Sequence, residues 1–123
     1  MILQVTSLLF ATVVVHASFL DVASYQYIFS AVTVLSLVYH STHDRWVGIA
    51  DMIMAHFSMS FVLLWETQKL VMTNNEWLLV FPSLVTLLWV LEDQCRSKRS
   101  LLLHALLHIT SVVGLHAYLY FLY

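Results

Sequence analysis

Five long apolar runs follow one another along the chain, at approximately residues 2–20, 26–43, 46–65, 77–91 and 100–123. Four of them contain no Asp, Glu, Lys or Arg, and the third carries only Asp51. With 61% hydrophobic and 10% charged residues in all, the chain lacks the roughly one-quarter charged content that covers a soluble domain. Most of its surface must therefore face something other than water, and lipid is the alternative solvent. In hydrocarbon the backbone has to satisfy itself, which restricts spanning structures to helices and closed barrels. Two glycines and one proline are too few for the turns of a barrel, and the runs are continuous rather than alternating. The expected fold is an all-α membrane protein, one domain over residues 1–123, built as a bundle of five transmembrane helices.

The connections support that division. Trp46 and Trp65 stand at the two ends of the third run, as interfacial anchors do. Residues 66–76 are polar enough to lie outside. The fourth run is short for a ~30 Å hydrocarbon core and contains Pro82. The first run could be taken for a cleaved signal, since Val15-His16-Ala17 precedes Ser18, but the basic segment that such peptides carry is missing. Basic residues Arg45, Arg96, Lys98 and Arg99 fall on one side of the zigzag and only Lys69 on the other. The positive-inside rule then places the N-terminus in the cytoplasm. A net charge of −2 with no basic stripe argues against a nucleic-acid partner. The single cysteine, Cys95, leaves no intrachain disulfide and no thiolate metal cluster.

Seven histidines in so apolar a chain are the anomaly, because ionisable groups in a membrane are costly. Spans alternate in direction, so the exit of the second, the entry of the third and the entry of the fifth share one leaflet. That brings together His40, Asp51, His104 and His108. His104-Ala-Leu-Leu-His108 sets two imidazoles one turn apart on one helical face, the spacing of helix-borne metal ligands. Ser36-Leu-Val-Tyr-His40 puts a hydroxyl one turn before a third. Three neutral imidazoles with an open fourth position make a catalytic rather than a structural zinc site, in which bound water ionises near neutral pH. Asp51 could accept that water's proton, and Ser36 could hydrogen-bond the water or a tetrahedral oxyanion. His43 is a reserve ligand. His16, His56 and His116 read as packing residues, His56 lying about 140° round the helix from Asp51 and His116 about 120° from His104 at 100° per residue. Met52, Met54 and Met59 read as filler or lipid-facing.

The ordered set of Ser36, His40, Asp51, His104 and His108, within residues 30–65 and 100–120, resembles the superfamily of alkaline ceramidases, progestin and adipoQ receptors and related membrane hydrolases. The separation of His40 from Asp51 is most similar to the alkaline ceramidases. The resemblance implies Zn²⁺ held by His40, His104 and His108, with Asp51 and Ser36 as catalytic residues, hydrolysing a lipid amide such as ceramide. It also implies an alternative, a zinc-containing lipid receptor or membrane-remodelling protein without catalysis. Seven spans are usual in that superfamily; five leave the last helix pointing the same way but remove walls of the lipid cavity. The acidic N-terminal calcium-binding segment of alkaline ceramidases is absent, since residues 1–4 carry no carboxylate. A metal-ion transporter is a third reading, disfavoured because its polar residues should run through the whole membrane depth. Polar residues left over from the site, His16, His56, Ser58 and Ser60, suggest a homodimer covering the open side.

Overall fold

A computed structural model describes residues 1–95 and 99–123, without the side chain of Arg99. Among these residues the structure is all-helical: α1 (Ile2–Phe19), α2 (Ala23–Thr42), α3 (Arg45–Met72), a 3₁₀ turn (Glu76–Leu79), α4 (Val80–Gln94) and α5 (Arg99–Leu122). Of the basic residues that orient the zigzag, Arg96 and Lys98 lie outside the described residues. Three helices are long and apolar enough to cross a membrane: α1, α3 and the Ser100–Leu122 part of α5. α2 has 20 residues but interleaves Ser, Thr, Gln, Tyr and His with its apolar ones. α4 has 15, about 22 Å at 1.5 Å per residue, shorter than a ~30 Å core.

Tight turns join the helices. Asp21, His43 and Asn74 each adopt a positive φ, of 56°, 53° and 54°. Asn and Asp tolerate this left-handed position better than other non-glycine residues, and it ends a helix within one residue. His43 is thereby used as the C-cap of α2. Asp44 then caps α3, its Oδ1 accepting from the backbone N–H of Trp46 (2.8 Å) and Val47 (3.0 Å). Pro82 is the third residue of α4, a first-turn position that helices tolerate.

One boundary differs from the sequence expectation. Residues 66–72 do not leave the bundle; α3 runs on to Met72, and Glu66 is completely buried. The buried carboxylate is tolerated because the protein supplies its partners. Tyr123 donates a hydrogen bond of 2.7 Å to Glu66 Oε1, and Lys69 Nζ lies 3.5 Å from Oε2. The same ammonium sits 3.5 Å from the centre of the Tyr123 ring, a cation–π contact. Asp51 is thus not the only carboxylate in an apolar run.

The closely packed pairs are α1–α2, α2–α3, α1–α5 and α4–α5, so the neighbours run in the order α3, α2, α1, α5, α4. The apolar core, with Val13, Tyr25, Phe29, Leu70 and Leu119 among its most buried members, fills the half of the bundle around Glu66. Between α3 and α4 the contact is sparse, carried by His56 edge-on against Trp89 with ring centres 5.4 Å apart. α4 and α5 approach closely at Gly114, where a Cβ would stand 2.7 Å from Phe81 Cβ. Gly114→Ala should therefore force α4 off α5 and cost about 1–3 kcal/mol, seen as a lowered midpoint in thermal unfolding in detergent. Tyr123→Phe should cost a similar ~1–3 kcal/mol by leaving one oxygen of the buried carboxylate without its donor.

Candidate metal centre

In the other half of the bundle the end of α2 meets the beginning of α5, with α1 beside them. His40, in the last turn of α2, and His108, in α5, are buried, and His104 is half-buried one turn before His108. Their ring centres are 4.7 Å (His104–His108), 5.2 Å (His40–His104) and 5.7 Å (His40–His108) apart. One nitrogen from each lies within 4.8 Å of the others, a cluster that could hold a metal ion.

The donor set fits such an ion. His40 Nε2 and His104 Nε2 are both buried without a hydrogen-bond partner. A buried polar atom left unpaired costs about 1–3 kcal/mol, and two in one three-imidazole cluster match a divalent cation that takes nitrogen ligands. Two of the other ring nitrogens are engaged. His104 Nδ1 is 2.7 Å from Glu92 Oε1, and His108 Nδ1 is 3.1 Å from Thr6 Oγ1. Phe10 packs edge-on against the His108 ring at 5.6 Å.

A cavity of about 640 Å³ opens beside the cluster, lined from all five helices. Ser36, Asp51, Glu92, His104 and His108 line its polar end; Phe29, Val62, Phe81, Val85 and Leu115 line the rest. Asp51, in the second turn of α3, is half-buried there. Ser36 is buried and lies 2.9 Å from Ser7 Oγ. Ser36, Asp51, His104 and His108 therefore all line one cavity, and His40, outside its lining, packs against the latter two.

The remaining histidines stand elsewhere. His16 and His116 meet each other between α1 and α5, Nδ1 to Nδ1 at 2.8 Å. His56 donates from Nδ1 to Met52 O (2.8 Å) while lining the cavity with Met52 and Met59. The Ser58 hydroxyl bonds Ala55 O. Of the four polar residues suggested for a dimer, His16, His56 and Ser58 are thus committed within the chain.

Three residues of the centre are absent from the sequence reading: Glu92, Thr6 and Ser7. A signal existed for Glu92. Glu92 follows the fourth apolar run and His104 opens the fifth, and consecutive helices joined by a short connection pack antiparallel, which brings their adjoining ends together. Nothing comparable exists for Thr6, whose place depends on α1 packing against α5 a hundred residues away, or for Ser7, which meets Ser36 of α2. No family model, curated protein or solved structure matches this chain, so the superfamily resemblance stands on the five motif residues alone.

Purified protein should carry one divalent metal ion per chain by elemental analysis. His104→Ala and His108→Ala should each lose it, and His116→Ala should keep it; metal retained in the double variant of His104 and His108 would move the site elsewhere.

Proposed function

We propose that the chain is a zinc-dependent hydrolase acting inside the membrane on a lipid amide of the ceramide type. The observation that carries this reading is a three-imidazole cluster at a largely apolar cavity that Asp51 and Ser36 also line. All five helices cross the bilayer in this reading, with the N-terminus cytoplasmic, since Arg45, Arg96, Lys98 and Arg99 fall on one side and Lys69 on the other.

His40, His104 and His108 would hold the ion, leaving a fourth position free for water or substrate. When bound, zinc supplies Lewis acidity that ionises water near neutral pH and polarises a carbonyl. Asp51 is the general base: it accepts a proton from the attacking water and passes it to the departing amine. The water oxygen bonds to the carbonyl carbon and the C–N bond breaks, giving a carboxylic acid and an amine. Ser36 orients that water. The Ser7 hydroxyl donates to Leu3 O at 2.7 Å, and a hydroxyl has a single proton. Ser36 must then donate to Ser7, which leaves its lone pairs for the cavity. That direction favours accepting from water over donating to an oxyanion.

A lipid suits the rest of the space. The lining extends along α5 from His104 to Tyr118, about 21 Å at 1.5 Å per residue, and is largely apolar beyond the polar end. The sparse contact between α3 and α4 gives a bilayer-dissolved substrate a side entrance.

The purified chain in lipid discs should hydrolyse a labelled ceramide, stop when a chelator removes the metal and resume on adding zinc. Undiminished turnover in the chelated protein would exclude the reading. Asp51→Asn should keep its zinc yet lose at least ~100-fold in turnover, because an amide cannot take the water's proton. Full activity in that variant would remove Asp51 from the chemistry.

A further inference from the structure

An imidazole can serve as a metal ligand only through a nitrogen that carries no hydrogen, so a three-histidine centre depends on which tautomer each ring adopts. Two contacts decide this for α5. Glu92, in the last turn of α4, places Oε1 2.7 Å from His104 Nδ1. An ionised carboxylate has only lone pairs to offer, so His104 Nδ1 holds the hydrogen and donates it. Nε2 is then the lone-pair nitrogen, and it is the atom left buried without a partner.

His108 follows the same logic through a different group. Thr6 Oγ1 stands 3.1 Å from both Leu3 O and His108 Nδ1; with its one proton on Leu3 O, as for hydroxyls that bond back to their own helix, it accepts from the imidazole. His108 Nδ1 therefore carries hydrogen as well, and its Nε2 is free. Two elements outside the ligand-bearing helices thus impose the same tautomer on the two α5 imidazoles.

We infer that Glu92 and Thr6 are positioning residues that lock His104 and His108 as Nδ1–H tautomers and so turn both Nε2 atoms toward a shared divalent metal. The metal half of this statement rests on the zinc reading above; the tautomer half does not. Outer partners of this kind also fix ring orientation and raise ligand basicity, and their loss lowers metal affinity about 10–100-fold. The fit extends to charge, because Glu92 adds a carboxylate, besides Asp51, to a site where three neutral imidazoles would face a dication.

Two measurements test it. Imidazole nitrogen shifts in metal-free, ¹⁵N-histidine-labelled protein report the tautomer, and chelator competition reports zinc affinity. Wild type should show Nδ1–H at both His104 and His108. Glu92→Leu should release His104 alone to a tautomer mixture and weaken zinc about 10–100-fold. Thr6→Val should do the same at His108 alone. Glu92→Gln and Thr6→Ser keep an acceptor and should retain most of the affinity, which separates the lock from mere packing. Nε2–H at either ring in wild type, or a doubly protonated His104 paired ionically with Glu92, overturns the inference. So does equal zinc affinity across all variants, while leaving the hydrolase reading intact. A wild type with both Nδ1–H tautomers but no zinc uptake overturns the hydrolase reading and upholds the lock.

Discussion

Inside a bundle this apolar, a polar side chain has no water to turn to, and the rest of the structure follows from how each one is answered. Most hydroxyls are answered locally. Thr33, Ser41, Thr42, Thr73, Ser83 and Thr86 bond a carbonyl one turn back on their own helix, as Ser and Thr in apolar helices do. Thr6 and Ser7 do this too, both toward Leu3 O, but their oxygens then remain as acceptors for His108 and Ser36. Ordinary back-bonding in α1 thereby becomes a polarity device for the neighbouring helices.

The same requirement sorts the bundle into two ends. Around Glu66 the carboxylate is met by Tyr123 and Lys69 and large apolar residues pack about it, while the Tyr25 and Tyr118 hydroxyls are buried without a hydrogen-bond partner. Around His40 the helices splay to leave a cavity, and two imidazole nitrogens stay unanswered. The first arrangement is that of a structural clamp between α3 and the end of α5. The second gathers three imidazoles, two of their nitrogens unpaired, at the edge of a cavity, and that juxtaposition is the reason for proposing chemistry at this end.

α1 is the member on which both ends depend. It lies between α2 and α5, which carry the three clustered histidines without packing closely on each other. Phe10 touches His108 and stacks near Phe29 of α2, with ring centres 6.4 Å apart. Removing α1 would separate His40 from the α5 pair and strip Thr6 and Ser7 from the site together.

The all-helical fold, the number of long helices and the gathering of His40, His104 and His108 were legible in the residues themselves. Continuous apolar runs admit only helices, and short turns oblige successive helices to alternate. Those two constraints are local, so sequence carries them. The pairing of α1 with α5, the continuation of α3 past Trp65 and the engagement of Glu66 by Tyr123 were decided by the tertiary structure alone. Each depends on elements packing against one another: an apparently solvent-seeking Glu66 is buried where Tyr123 reaches it from the end of α5, and a plain Thr6 meets the three-histidine cluster because α5 docks beside it. Sequence lists the groups that need partners, and packing determines which partner each receives.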